Sequence, residues 1–354
     1  MELKVKSLLN LFFNDFDFEL VSTQILKDGL IHQTLLIEIE RNTKKEKYIL
    51  QKINQSVFPD PTIITKNMEL VTAHLKMRLY PFSVVEIVKS KAGKSLVIDP
   101  QQNQWRLTIY IDETECFTKI KSASHAYEAA KIFSVFHAYL IDFDANKLTS
   151  PIKDFINFEN RMIEFETAVE NASEELKINA STELAFLVEN KNLPKKFIEH
   201  QKKNKFPKRV IHADPKISNV LFHRNSNLAK CIIDLDTLMP GSILYDYGDM
   251  VRSYTNNREE DDPNPENVFN FENYKAITEG FLSALQEYLT PIEKDNLAYS
   301  AKVVVYIQAI RFFTDYLNGN KYYATTFPSQ NLCRAKNQIN LLKEILELDC
   351  LDWV

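Results

Sequence analysis

The first hundred residues are rich in strand signals. Gln33–Glu40 and Lys47–Ile53 are β-rich runs separated by the charged turn Arg41-Asn42-Thr43-Lys44-Lys45, and together they predict a hairpin. From Pro61 to Leu75 the period changes. Ile64, Met68, Val71 and Leu75 fall on one stripe, which predicts a helix with Thr62 as its cap. Strand signals return at Val84–Val88, Leu96–Asp99 and Trp105–Ile111, the last after the polar turn Gln101-Gln102-Asn103. Strands, one helix and more strands predict a small β-rich lobe over residues 1–110.

Beyond about Asp112 the pattern becomes helical. Ser124 is placed to cap a helix whose Ala126, Ala130, Phe133, Phe136 and Leu140 share a face. Further helices are predicted over Phe155–Glu170, Phe271–Leu289, Asp295–Leu317 and Leu332–Leu348. The last repeats Leu332, Ala335, Ile339, Leu342 and Ile345 at helical spacing. Residues 111–354 therefore read as a larger helical lobe. No internal repeat is visible, and 354 residues suit two lobes better than one ordinary compact domain. The fold class is α+β.

Composition narrows the function. Hydrophobic residues at 45% and charged residues at 26% are the balance of a soluble globular protein. A net charge of -5 argues against sequence-independent nucleic-acid binding, which needs clustered Lys and Arg. With only 6 Gly, any phosphate-cradling loop is not strongly glycine-rich. Cys116, Cys231, Cys333 and Cys350 form no C-x-x-C pair and no zinc-like spacing with His, and read as buried thiols of a reduced, intracellular protein. The apolar run Leu8–Phe13 is too short for a signal peptide, and Val303–Phe313 is too short to span a bilayer. A cytoplasmic protein with no membrane partner, monomeric or weakly homodimeric, is expected. The acidic stretch Arg258–Asn267 reads as a solvated loop.

The chemistry concentrates in Arg209–Arg252. Val220–Phe222 and Cys231–Ile233 are two short apolar runs around the polar turn Arg224-Asn225-Ser226-Asn227, a second hairpin. Pairing Phe222 with Cys231 and Leu221 with Ile232 places Asn219 opposite Asp234. Two hard oxygen ligands at the open end of a ladder suit Mg²⁺, which takes few protein ligands and fills its sphere with phosphate oxygens and water. Asp214 lies just before this end, and Pro215 restricts it to extended geometry. A carboxylate base beside a metal that holds phosphate is the division of labour that phosphoryl transfer needs.

The spacing His212-Ala213-Asp214, four residues, then Asn219, is that of the protein-kinase catalytic loop, and Asp234 follows where that fold carries its metal aspartate. Together with Ile233-Asp234-Leu235-Asp236, it resembles the aminoglycoside phosphotransferase superfamily. The finer resemblance is to its N-acetylhexosamine 1-kinase branch, carried by four segments. These are Tyr48–Asn54 with Val57–Asp60, Trp105–Ile111, Ile233–Ser242 continuing through Tyr245–Asp249, and Arg311–Leu317 ending near Tyr322-Tyr323. The resemblance implies a two-lobed, protein-kinase-like fold with ATP between the lobes, Asp214 as catalytic base, and Asn219 and Asp234 as Mg²⁺ ligands. Asp236 is either a residue of the metal's surroundings or a structural one. His212 is expected to bond backbone near the metal aspartate, and Asp249 and Arg252 to be scaffold.

The N-terminal lobe departs from the kinase pattern. The lysine expected on the third strand, paired with a helix glutamate, falls at Gln51 or at Lys52, which point to opposite faces. A Lys52–Glu69 pair is one reading, a solvated Lys52 the other. Gly29, in Lys27–His32, marks either the phosphate cover or a simple turn. Arg311 lies in a run apolar almost all round, so it needs a partner, which is either substrate oxygen or an acid such as Asp315. Tyr322 and Ser242 are further substrate-pocket candidates on the resemblance. The expectation is an ATP-dependent kinase acting on a small sugar, an N-acetylhexosamine at its anomeric hydroxyl. The rivals are the same fold acting on an amino alcohol, a homoserine-like compound or an aminoglycoside, and a nucleotide-binding pseudokinase.

Overall fold

The computed structural model describes residues 2–14, 17–26 and 31–348. The chain opens on helix α1 (Glu2–Leu9), which buries Val5, Leu8 and Leu9 against one face of a mainly antiparallel sheet. Strands β1 (Glu19–Leu26), β2 (Gln33–Arg41) and β3 (Lys44–Lys52) follow. The predicted hairpin is β2–β3. Its turn narrows to Asn42 and Thr43, both at positive φ (50° and 61°), the primed geometry whose twist matches that of the flanking strands.

Helix α2 (Pro61–Met77) buries Ile64, Met68, Val71 and Leu75 as the stripe predicts. Its cap is Asp60 and not Thr62: the Asp60 carboxylate accepts from the Thr62 backbone N–H at 3.0 Å. Short strands β4 (Ile87–Val88) and β5 (Val97–Ile98) and the longer β6 (Gln104–Ile109) complete the sheet, ordered β1-β2-β3-β6-β4 with β5 on β6. Leu35, Ile37, Tyr48, Leu50, Trp105 and Leu107 fill the face under α1. Alternation turns Gln51 and Arg106 to the opposite face, and register sets them side by side.

The rest of the chain is helical around a second core. Strand β7 (Thr114–Cys116) leads to α3 (Ala123–Tyr139), α4 (Phe158–Asn171), α5 (Glu174–Asn179), α6 (Ser181–Glu189) and α7 (Lys195–Lys202). Strands β8 (Arg209–Ile211), β9 (Val220–His223), β10 (Ala229–Ile232) and β11 (Met239–Gly241) precede α8 (Ile243–Tyr254), α9 (Phe271–Leu285), α10 (Pro291–Lys294), α11 (Leu297–Leu317) and α12 (Gln330–Glu347). The α3 cap is Ser122, two residues before the predicted Ser124. Helix α3 packs on α9, where a Cβ on Gly280 would lie 2.5 Å from the Tyr127 carbonyl oxygen, so only glycine permits this approach. Phe133, Phe136, Tyr247, Phe281, Tyr306 and Phe313 are fully buried between these helices. The chain is thus a small β-sheet lobe followed by a larger helical one.

Cys231 and Cys333 are buried, as expected, but Cys116 at the end of β7 is exposed; Cys350 lies outside the described residues. Among the described residues no helix is long and apolar enough to cross a membrane. The acidic loop is not simply solvated. Its Asp261 accepts from Gln330, its Glu259 carbonyl from Asn337, and its Pro265 carbonyl from Asn340, which docks it on α12.

Candidate active site

Two small sheets frame the loop that carries Asp214. β8 pairs with β11 on one side of it, and the β10-β9-β7 sheet lies beyond it. Between them the backbone makes a sharp bend, with Ala213 left-handed at φ 65°. A side chain costs about 1–2 kcal/mol there, so something must hold the bend. Asp246 of α8 does: its carboxylate accepts the backbone N–H of His212 at 2.7 Å and of Ala213 at 2.8 Å. His137 of α3 reaches the same carboxylate from behind, Nε2 to Oδ2 at 3.1 Å, with both side chains fully buried. His212 accepts the Asp214 N–H at Nδ1 and so donates from Nε2 to the Ile233 carbonyl at 3.0 Å. It therefore ties the Asp214 loop to the Asp234 loop through backbone.

Asp214 is half-buried and faces Lys216, Nζ to Oδ2 at 2.7 Å. Burial alone would raise its carboxyl pKa, but the charge and hydrogen bond of Lys216, with His212 and Arg252 behind, hold it below the usual carboxylate range. Lys216 was not singled out from the sequence, although its place two residues after Asp214 was a signal. Asn219 Nδ2 donates to the Asp214 carbonyl at 2.8 Å and to its carboxylate at 3.1 Å.

The hairpin carrying Asn219 forms, but its register differs from the predicted one. A bulge between Ala229 and Cys231 shifts the ladder by one, pairing Leu221 with Cys231 and Val220 with Ile232. Asn219 then meets Ile233, whose N–H donates to the Asn219 carbonyl at 2.9 Å. Asp234 follows in a left-handed conformation, φ 58°, just outside the ladder. Burial and the neighbouring charges of Asp236 and Asp214 raise the Asp234 carboxyl, with Lys216 only partly offsetting them. Among the described residues no group of three His, Cys, Asp or Glu is placed to chelate a metal by itself. Asn219 with Asp234 makes a two-donor set, and the crowded carboxylates favour a cation. That fits Mg²⁺ held jointly with phosphate and water.

Asp236 is tied to the β-sheet lobe. It is buried, and the β-sheet lobe takes both its oxygens. Arg106 of β6 grips them with two nitrogens, Nη2 to Oδ2 at 2.9 Å, and His32 Nε2 lies 2.6 Å from Oδ2. His32 Nδ1 accepts from the Asn54 N–H at 3.1 Å, so the Nε2 nitrogen carries the hydrogen it donates. Gln51 Oε1 accepts from Arg106 at 3.0 and 2.8 Å, fixing the guanidinium plane. Sequence reasoning missed Arg106 and His32, because only register and the fold bring them 130 and 204 positions along the chain to Asp236.

The pairing of Lys52 with Glu69 does not form. Lys52 lies on the face shared with Tyr48 and Leu50, turned away from Gln51 and Arg106, and among the described residues it makes no hydrogen bond or ion pair. The Glu69 carboxylate is held by Lys89 and Ser95 instead. Gly29 lies outside the described residues. Ser242 is buried and caps α8, its Oγ accepting from the Leu244 N–H at 3.4 Å.

Arg311 on α11 is half-buried and bonds Gln308 at 2.9 Å. Among the described residues no carboxylate lies within ion-pair distance of it. Asp315 is occupied elsewhere, accepting the backbone N–H groups of Lys321, Tyr322 and Tyr323 and the Asn331 amide. That carboxylate shapes the loop which sets Tyr322 and Tyr323 beside Arg311. The guanidinium carbon sits 5.5, 6.0 and 5.7 Å from the rings of Phe155, Tyr322 and Tyr323. Tyr322 is 60% exposed, a wall open to solvent. Buried Tyr245 feels the charges of Asp249, Arg311, Arg252 and Asp214 together, so these groups border one region. Arg252 pairs with Asp249 at 2.6 Å, the scaffold role expected of both.

Comparison with known proteins agrees with this geometry. Residues 23–272 match the phosphotransferase enzyme family. A microcompartment-associated aminopropanol kinase superposes with a TM-score of 0.68 at 16% identity, covering 98% of each chain. A spectinomycin phosphotransferase solved with ADP and its antibiotic gives 0.59 at 12% identity, covering 98% of this chain and 97% of that one. A choline/ethanolamine kinase family protein from Mesorhizobium loti gives 0.56 at 12%, covering 98% and 95%. At such identities the likeness is one of fold.

Proposed function

The chain belongs to the phosphotransferase enzyme family, and from that premise we propose an ATP- and Mg²⁺-dependent kinase that phosphorylates the anomeric hydroxyl of an N-acetylhexosamine, giving the sugar 1-phosphate. The observation that carries the sugar reading is Arg311, a cation with no carboxylate partner, set among Phe155, Tyr322 and Tyr323. Aromatic walls and a hydrogen-bonding cation suit a neutral ring rich in oxygen. The guanidinium does not suit an amine. Aminopropanol, choline and ethanolamine, the compounds for which two of the structural neighbours are named, are cationic at neutral pH. A second cation about 6 Å from a guanidinium is disfavoured by about 3 kcal/mol at an effective dielectric near 20, before screening. Of the acidic loop's carboxylates, Glu260 is already shared by Arg252 and Arg334, and Glu259 pairs with Lys119.

In this reading Asp214 accepts the hydrogen of the attacking hydroxyl. Its depressed pKa keeps it ionised at neutral pH, with Lys216 fixing one oxygen. Asn219 and Asp234 would hold Mg²⁺, which when bound offsets charge on the phosphates. Arg311 and Tyr322 orient the sugar. An anomeric hydroxyl is more acidic than the other sugar hydroxyls, so a weak base such as a carboxylate suffices. The test is incubation of the protein with MgATP and a panel of N-acetylhexosamines and amino alcohols, read by phosphorus NMR. A product whose phosphorus couples to the anomeric proton is expected. Coupling to C6 methylene protons, or turnover confined to an amino alcohol, overturns the proposal.

A further inference from the structure

The β3 strand carries Gln51 at the cleft-facing position where this fold is expected to hold a lysine, and Glu69 on α2 is turned to Lys89 and Ser95. The linkage between strand cation and helix carboxylate is therefore absent among the described residues. A different one stands in the same part of the molecule. Arg106 lies directly beside Gln51 in the β3–β6 register, shares its face, and meets the Asp236 carboxylate through two nitrogens. His32, at the foot of β2 and at the end of the Lys27–His32 segment, meets the same carboxylate at 2.6 Å. Asp236 is two residues from Asp234, on the turn that follows β10. All three groups are nearly fully buried.

We propose that Arg106 and His32 are positioning residues of the phosphotransfer site. By clamping Asp236 they fix the turn that aims Asp234, and they couple the strand β2 entrance to the metal-holding loop. The inference rests on the kinase reading above for what Asp234 holds, but the clamp itself is geometric. Three hydrogen bonds from two side chains of one lobe converge on a carboxylate of the other. Gln51 completes it: a lysine there would repel Arg106, whereas an amide oxygen accepts from it at 3.0 and 2.8 Å. Gln51 thus supplies the acceptor that orients the Arg106 guanidinium.

A buried pair could serve stability alone, and the test separates the two roles. In the double variant Arg106→Met/Asp236→Leu both charges go together, which commonly leaves a fold intact or stabilises it. His32→Leu removes one donor, while His32→Gln keeps an N–H in reach. Each protein is read in three ways: thermal unfolding without nucleotide, amide hydrogen exchange over residues 235–238 without nucleotide, and titration with MgATP in the absence of any acceptor. Wild-type binding of MgATP tests the kinase reading; the ratio of variant to wild type tests the clamp. The clamp predicts that the double variant and His32→Leu unfold near the wild-type temperature, exchange faster over 235–238, and bind MgATP about 10–100-fold more weakly, as removal of such supporting groups does elsewhere. His32→Gln should recover most of the loss. Folded variants with unchanged exchange and unchanged MgATP affinity overturn the proposal. So does His32→Gln behaving as His32→Leu does.

Discussion

Asn219 gives its amide nitrogen to Asp214 twice, at 2.8 Å to the carbonyl and 3.1 Å to the carboxylate. Its Oδ1 then has no hydrogen-bond partner among the described residues, which is the orientation a cation would need. Lys216 donates to the same Asp214 Oδ2 at 2.7 Å, so that oxygen is held twice. Asp214→Asn keeps the size and loses the base. The expected result is a fall in kcat of about 10²–10⁴-fold with MgATP affinity and unfolding temperature little changed. Near-wild-type turnover by the folded variant sinks the assignment.

Asn219→Ala and Asp234→Ala should act through the metal. Asn219→Ala removes a neutral donor, so the Mg²⁺ concentration for half-maximal turnover rises. Asp234→Ala removes the anionic donor, and turnover should nearly vanish at any Mg²⁺. A Mg²⁺ titration of initial rate checks both. If neither variant changes the Mg²⁺ dependence, these residues do not hold the ion, whatever the register of their hairpin.

Asp246→Asn addresses the bend rather than the chemistry. An amide offers one acceptor oxygen where the carboxylate offers two, so one of the His212 and Ala213 N–H groups would face an NH₂. A buried donor left without a partner costs about 1–3 kcal/mol. Urea unfolding should show a loss of that order, and kcat should fall while both KM values stay close to wild type. Unchanged kcat would mean that the loop keeps its shape without Asp246.

His125 predicts an acid sensitivity of the fold. It is buried on α3 between Phe117 and Phe222, at ring distances of 4.8 and 4.3 Å, and accepts the Lys121 N–H. Burial, helped by the Lys121 charge, lowers its pKa to about 4. The folded state therefore resists a proton that the unfolded chain takes up near pH 6.5. For a depressed histidine, the unfolded state binds more protons between these values, so stability falls as the pH drops through that window. The loss is about 2 kcal/mol between pH 7.5 and 5. Unfolding at the two pH values should show it in the wild type and show less in His125→Phe. An equal pH effect in both proteins would place the sensitivity elsewhere.

Much of this was readable in the chain, for a physical reason. Period and turn chemistry are local, so the β2–β3 hairpin, the α2 stripe and the long helices declared themselves. The Asp214–Asn219 spacing is also local. What escaped was set by distance or by one residue of register. The bulge beside Lys230 moved the hairpin ladder because nothing in its apolar run distinguishes the two pairings. The caps are Asp60 and Ser122 and not Thr62 and Ser124, because each helix start offers two cap-forming residues two positions apart. Arg106, His32 and Asp236 meet only after the two lobes assemble, and Tyr323 and Phe155 reach Arg311 from separate loops. Lys52 shows the limit of reading residue type: the charge was where it was sought, but the strand turns it to the wrong face.

Arg311→Met tests the substrate reading most directly. Methionine keeps an unbranched apolar stem against Phe155, Tyr322 and Tyr323 and removes only the charge and its donors. Because Asp315 is bonded to the Lys321–Tyr323 backbone and not to Arg311, no buried acid is left uncompensated. The unfolding temperature should therefore barely move. A hydrogen bond from a charged donor contributes about 1.5–3 kcal/mol, so kcat/KM for the N-acetylhexosamine should fall about 10–100-fold. The KM for MgATP should stay close to wild type. Removing the cation also removes its repulsion of amines, so turnover of amino alcohols should hold steady or rise as turnover of the sugar falls. That opposite movement is the part a structural role cannot imitate. Parallel losses of stability, MgATP use and sugar use would instead make Arg311 a packing residue of α11 and would take the main support from the sugar reading.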